Sequence, residues 1–327
     1  MSVSNETTAL QYLDFETSIE SIQNQIDELR EMEKKTSVQM TDKIEILEQK
    51  LEAEKLKVTE NLTTWQKVQL SRHPNRPYSL YYFEKISDYS IEIFGDRNFK
   101  DDKAIICHMA KIDGKSVMLI GHQKGSTTKL RQYRNFGMPN PEGYRKALRA
   151  MKMAEKFNIP IVTFIDTPGA FPGIEAEERG QAEAIARNLF EMVKLKVPVL
   201  CYIIGEGASG GALGIGVGDR VFMLENTWFT VISPESCSSI LWRSWEHKQR
   251  AADALKLTPQ DNLENKIIDE IVPEPAGGAH YNPEEMANRL RVHMLQHIAD
   301  LEKISADKRI ADRIERYSAM STAIENV

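Results

Sequence analysis

Three cysteines in 327 residues, Cys107, Cys201 and Cys237, are too few and too far apart for a disulfide framework or for the clustered spacing of a zinc site. Set among apolar neighbours, they read as buried thiols of a reducing compartment. No apolar run approaches the ~18 residues of a membrane span, and residues 1–10 lack the basic-then-apolar pattern of a secretory signal. The expectation is a cytoplasmic protein without a membrane partner. Positive charge is not in excess either. With 48 acidic against 42 basic residues the formal charge is −6, so no general attraction to nucleic acid exists and none is required for function. The 41% of apolar residues is ample for one large or two modest domains.

Glycine, by contrast, is locally abundant. Residues 199–204 are a short apolar run bounded by Pro198 and Gly205, the pattern of a strand buried on both faces, and six glycines follow between positions 205 and 216. Three readings of this stretch compete. Small residues permit tight packing of a helix on a sheet. Gly205-x-Gly207-x-x-Gly210, with Glu225 downstream, matches a dinucleotide fingerprint, although Asp219-Arg220 already leads into the next apolar run and leaves little room for a crossover helix. In the third reading, Gly210 and Gly211 present backbone N–H groups at a helix start as an oxyanion hole, and the absence of a lysine argues against a phosphate-binding loop. Gly207-x-Ser209-x-Gly211 also matches a nucleophile elbow by letter, which would need a histidine and an acid converging on Ser209.

The N-terminal fifth is helical. Ile19, Ile22, Ile26 and Leu29, then Ile44, Leu47 and Leu51 after a polar break near Lys34 to Ser37, predict two amphipathic helices in a hairpin or arm. Two prolines make residues 72–78 an extended connection; His73 there reads as a surface contact, and Gly95 as a helix stop. Residues 104–112 and 116–121 predict a hairpin turned at Asp113-Gly114. Lys124, Lys129, Arg131 and Arg134 follow as a basic loop suited to an anionic ligand, while His122 reads as a structural histidine. A helix at 141–157, a strand at 161–165 ending at Asp166, a turn around Gly169 and Ala170, and a helix at 177–195 form a unit. The stretch 199–211 repeats it 38 residues on. Strands at 221–224 and 228–231 with the helix after Ser233 make a third, so the turns at 169–170 and 210–211 are expected to meet on one ligand. A C-terminal helix at 283–304 carries His293 and His297 at i and i+4, with no third metal ligand in the local sequence.

Several separate motifs in order carry a family resemblance: Leu13-Asp14-Phe15-Glu16, residues 72–78, 121–125 and 134–139, Pro141-Glu142-Gly143-Tyr144-Arg145-Lys146-Ala147, residues 164–170, 177–181 and 210–218, Ser233-Pro234-Glu235, Pro273-Glu274-Pro275, and Gly277-Gly278-Ala279-His280. Over nearly its whole length the chain resembles the carboxyltransferase alpha subunits of the multi-subunit acetyl-CoA carboxylases of bacteria and plastids. The resemblance implies an α/β, crotonase-like (ClpP/crotonase) spiral of ββα units at 99–327, preceded at 1–98 by the helical arm and linker helices. It implies a separate beta subunit, as two of each, and transfer of the carboxyl group of carboxybiotin, carried on the biotin carboxyl carrier protein, to acetyl-CoA. Malonyl-CoA for fatty-acid synthesis results, and ATP is used by the separate biotin carboxylase. Gly210 and Gly211 would bind the ureido oxygen of biotin, with Gly169, Ala170, Gly207, Lys124 and Arg134 as further substrate contacts. No cofactor is implied as covalently bound to this chain, and zinc is implied for the beta subunit alone. Ala208 and Ser236 stand where the resemblance leads one to expect glycine, and would add strain wherever φ is positive.

Overall fold

Strand β1 (Tyr89–Glu92) stands where the sequence suggests a helix ending at Gly95. In the computed structural model, which describes residues 10–36 and 39–320, its side chains alternate between exposed and half-buried, as on an edge strand, and Gly95 at φ 74° turns the chain out of it. The sheet therefore begins ahead of residue 99. β2 (Ile105–Ile112) pairs antiparallel with β1 and with β3 (Lys115–His122). Asp113 and Gly114, at φ 47° and 78°, form the expected primed turn between β2 and β3.

From β3 onward the sheet is parallel: β4 (Ile161–Thr167), β5 (Val199–Ala208), β6 (Arg220–Leu224) and, at the far edge, β8 (Glu270–Val272), with β7 (Trp228–Thr230) beside the end of β5. β5 is longer than expected because Gly205 and Gly207 lie inside it. A Cβ on Gly205 would stand 2.4 Å from Asp166 Oδ1, and one on Gly207 2.7 Å from the Phe229 ring. Glycine here admits neighbouring side chains into the strand. The first part of β5 pairs with β6, and residues Glu206, Gly207 and Ala208 pair with β7.

Both faces of the sheet are buried, so alternate residues serve two cores. Ile120, Ile165, Cys201, Ile203 and Met223 pack with Tyr144, Ala147 and Met151 of the helix Pro141–Lys156. Leu119, Phe164, Tyr202 and Phe222 pack with Phe83 of the helix Ser79–Ile86 and with Leu290 and Met294 of the helix Pro283–Glu302. Each such large side chain contributes about 1.5–3 kcal/mol by burial.

Elsewhere the expected helix at 177–195 is two, Ile174–Glu178 and Gln181–Met192, separated at Gly180 with φ 85°. The arm is a helical hairpin, Thr17–Thr36 and Thr41–Glu60, closed around Ile19, Ile22, Ile26, Ile44 and Leu51; Ser37, in the polar break, lies outside the described residues. A further helix, Ala306–Ala319, was not foreseen. Its buried residues are Arg309 and Arg313 rather than an apolar stripe, and Arg313 donates to the carbonyls of Met192 and Leu195 and to Asp219. No helix among the described residues is long and apolar enough to cross a membrane.

Candidate active site

At the carboxyl ends of β4 and β5 the two strands part, their register jumping from Ile165 opposite Ile203 to Thr167 opposite Gly207. Asp166 fills the gap. Its Oδ1 accepts from the Glu206 N–H at 3.0 Å and from Lys124 Nζ at 2.6 Å. Ligand crevices of parallel sheets form at such strand ends, and here the loops after β4 and β5 come into contact. A Cβ on Gly211 would lie 2.5 Å from both Ala170 N and Gly169 C. Nothing larger than glycine fits there without moving a backbone. On Gly210 a Cβ would meet only the Ile185 side chain, at 3.6 Å, an ordinary contact. The paired glycines thus have different reasons to be there.

Ser209, at φ 58°, makes the sharp step from β5 into the short helix Ser209–Leu213, in whose first turn the N–H groups of Gly210 and Gly211 lack intrahelical acceptors. The turn is held from behind. Tyr144 OH donates to Gly211 O at 3.3 Å, and Asn188 Nδ2 donates to Tyr144 O and Gly214 O at 3.0 and 2.8 Å. Opposite it, Gly169 takes φ 145°, in the range that favours glycine.

The charges beside the crevice form a closed network. Lys124 Nζ bonds Asp166 and Glu206, at 2.6 and 2.5 Å, and Arg72 bonds Glu206 Oε1 at 2.6 Å and Glu235 Oε1 at 2.5 Å. Burial raises both carboxyls. Glu206, with two cations, is nonetheless held down to about 2, while Asp166, with one cation and Glu206 beside it, stays above its usual value. A cavity of about 220 Å³ lies over this network, lined by Ser71, Arg72, Tyr78, Lys124, Arg131, Phe136 and Glu206. Lys124 and Arg134, expected to meet an anionic ligand, are engaged within the chain: Arg134 Nη1 donates to Lys103 O at 3.1 Å. Gly207 is buried within β5, and Phe229 accounts for its missing side chain. Asp166 marked only a strand end in the sequence, and Glu206 was masked by the glycines around it. His122 is wholly buried, and burial and Lys124 push it down to about 3, so it remains neutral as a structural histidine. Ala208 has φ −110° and Ser236 lies in the helix Pro234–Trp242, so neither replacement of glycine strains the backbone.

A second polar centre joins the arm to the sheet domain. His73, expected on the surface, is buried and stacks on His280 with ring centroids 3.9 Å apart. Glu16 accepts from His280 Nε2 at 3.2 Å, Tyr281 OH at 3.0 Å and Leu13 N–H at 2.7 Å. Burial opposes its charge, but hydrogen bonds from His280, His73 and Leu13 outweigh this and bring Glu16 to about 2; burial brings His280 to about 4. Glu16, His73 and His280 have the proximity of a metal site. His73 has no lone pair to give a metal, however: its Nδ1 accepts from Asn75 N–H, and its Nε2 carries the proton toward Gln11 O. His293 and His297 do gain a third neighbour, Glu270. Arg220 donates to His297 Nδ1, which leaves the proton on Nε2, the atom that faces Glu270. Neither group is a fitting zinc site.

Residues 12–321 match a family model described as acetyl co-enzyme A carboxylase carboxyltransferase-like. The chain is 58% identical over 312 residues to the acetyl-coenzyme A carboxylase carboxyl transferase subunit alpha of Flavobacterium psychrophilum, covering 95% of this chain and 98% of that one. To the protein of the same name from Chlorobium limicola it is 55% identical over 322 residues, covering 94% and 97%. The chain belongs to the acetyl-CoA carboxylase carboxyltransferase family. Solved structures give the fold of this carboxyltransferase. It resembles a Pseudomonas malonate decarboxylase hetero-tetramer in complex with coenzyme A (TM-score 0.56, 15% identity, 74% of this chain and 95% of that one). It also resembles transcarboxylase 12S (TM-score 0.53, 19% identity), of which it spans 42% while 68% of this chain is covered. The fold is crotonase-like α/β, as the resemblance implied.

The carboxyltransferase family leaves no place for the two competing motif readings, and the geometry agrees. Gly205 and Gly207 of the dinucleotide pattern are strand residues filled by Asp166 and Phe229, and Glu225 Oε2 accepts from the Glu274 N–H at 3.0 Å. Ser209 has the left-handed backbone of a nucleophile elbow. The cavity of about 360 Å³ that it borders is lined by residues such as Leu213, Phe229, Val231 and Asn262, with no histidine or carboxylate.

Proposed function

We propose that this chain is the alpha half of an acetyl-CoA carboxylase carboxyltransferase and that its backbone performs its share of the chemistry. Carboxybiotin, on its carrier protein, supplies the carboxyl group, and acetyl-CoA accepts it to give malonyl-CoA for fatty-acid synthesis. As the carboxyl group leaves, charge builds on the ureido oxygen of biotin. The N–H groups of Gly210 and Gly211, with Ala170 facing them, meet that charge. They are fixed before the reaction, and donors that need no reorganisation are worth roughly a hundredfold or more in rate. Gly169 serves the site by its backbone conformation, φ 145°, and Gly207 by close packing against Phe229. Lys124 holds Asp166 and Glu206 in place beneath it, and Arg134 braces the neighbouring loop.

The observation that carries this reading is the contact of Gly211 with the Gly169–Ala170 peptide, at a distance that excludes a side chain. The names of the relatives support a beta subunit as partner, with two copies of each expected, and zinc is assigned to that subunit. The three buried, unpaired cysteines support a reducing, cytoplasmic setting. The test is the reverse reaction, decarboxylation of malonyl-CoA coupled to carboxylation of free biotin, with this chain alone, with the beta subunit, and with Gly211→Val in the pair. Activity is expected only from the pair and is lost in the variant while the complex still assembles. Unchanged activity in Gly211→Val would move the chemistry elsewhere and leave the glycines as packing.

A further inference from the structure

Within residues 168–171 every backbone donor but one is occupied. Proline at 168 has none, Gly169 N–H donates to Thr167 Oγ1 at 3.1 Å, and Phe171 N–H donates to Pro139 O at 3.0 Å. No hydrogen bond among the described residues takes the Ala170 N–H. The Thr167 hydroxyl is also the donor to two carbonyls, Gly137 O at 2.6 Å and Gly169 O at 2.8 Å, a shared arrangement on a wholly buried side chain. A trans peptide carries its C=O and N–H on opposite sides, and the chain contains no cis peptide among the described residues. Holding the Gly169 carbonyl on Thr167 therefore turns the N–H of the same peptide, that of Ala170, away from Thr167. That peptide is the one against which Gly211 packs.

We infer that Thr167 is a positioning residue for carboxyl transfer: its hydroxyl fixes the Gly169–Ala170 peptide so that the Ala170 N–H serves as a second anion donor opposite Gly210 and Gly211. The inference rests on the oxyanion reading above. A further feature supports the hydroxyl as the fixed point. Gly137, whose carbonyl it holds, ends a run of three left-handed residues, with Asn135 at φ 47°, Phe136 at 55° and Gly137 at 75°. Asparagine tolerates this region, but phenylalanine adopts it only where the surroundings hold it, and Thr167 supplies one of those holds. One hydroxyl thus ties a strained loop bordering the charged cavity to the donor loop of the crevice.

The test compares Thr167→Val, which keeps the shape and removes the hydroxyl, with Thr167→Ser, which keeps the hydroxyl, in the complex with the beta subunit. For malonyl-CoA decarboxylation with free biotin, kcat should fall at least tenfold in Thr167→Val, with KM for biotin within threefold of the parent value. Thr167→Ser should return kcat to within threefold. A Thr167→Val enzyme whose kcat stays within twofold of the parent overturns the proposal, as does a serine variant no better than valine, since loss of packing alone would explain that. Should Thr167→Val fail to assemble, Thr167→Ala is judged by the same limits. Failure of the underlying oxyanion reading shows separately, as Gly211→Val retaining full kcat, and a loss in Thr167→Val would then count against the role given to Thr167.

Discussion

The crevice between β4 and β5 and the clasp around Glu16 are both buried polar centres joining distant parts of the chain, yet they are made of opposite materials. The crevice presents backbone, at Ala170, Gly210 and Gly211, with side chains such as Tyr144 and Thr167 bracing it from behind. The clasp presents side chains, Glu16, His73, His280 and Tyr281, and of these Glu16 and His280 are held below their usual values. Backbone N–H groups keep their protons at every working pH, so a site made of them is insensitive to acid except through the stability of the fold. A centre made of a carboxylate and imidazoles carries its pH dependence within itself.

The largest effect expected is on the backbone side. Gly211→Val should lower kcat of the paired enzyme about a hundredfold or more, because its side chain enters the space of the Gly169–Ala170 peptide. On the clasp side, Glu16→Ala strands the half-buried Tyr281 hydroxyl and Leu13 N–H and should cost about 2 kcal/mol. Faster proteolysis and amide exchange in the arm would register it, with kcat of the surviving complex unchanged within twofold. A comparable loss of kcat would show that the two centres are not independent.

Acid should separate them next. The folded chain keeps His280 neutral down to about pH 4, whereas an unfolded histidine titrates near 6.5. Between those values the unfolded state binds the extra proton, so this contribution is complete above about pH 6.5 and is lost as pH falls toward 4, on the order of 3 kcal/mol in all. Glu16 adds a second loss lower down, from an unfolded value of about 4.3 toward its folded value of about 2. In denaturant titrations across pH 4–6.5, His280→Asn should flatten the slope by about one proton; an unaltered slope would remove the clasp from acid unfolding. The smallest effects concern the outer side of the turn. Gly210→Ala should change stability by less than ~1 kcal/mol and Ser209→Ala should leave kcat within twofold. A large loss in Ser209→Ala would revive the hydrolase reading.

The same contrast explains what was legible in the sequence. Short continuous apolar runs marked the central strands, Asp113-Gly114 marked the hairpin, and the meeting of the loops at 169–170 and 210–211 followed from repeated strand-turn-helix units. Long-range polar contacts left no such trace. His73 and His280 are separated by more than half of the chain, and nothing local to either predicts that they stack. Tyr89 to Glu92 are a strand only because β2 offers them an edge. The helix Ala306–Ala319 was missed because its inward residues are arginines, which a search for apolar periodicity discards. The glycines were over-read in one respect: density suggested a loop, whereas Gly205 and Gly207 are strand residues making room for others.

That last helix bears on how the chain is made. Arg313 caps the carbonyls at the end of the helix Gln181–Met192 and neutralises Asp219, flanking β5 on both sides. A ribosome delivers β5 and both crevice loops more than a hundred residues before that guanidinium emerges. Until that helix is made, neither Arg309 nor Arg313 is present to balance the burial of Asp219. Delivery of Arg313 thereby completes the central strand's surroundings, and a chain cut short of it would carry the whole crevice on an unfinished support.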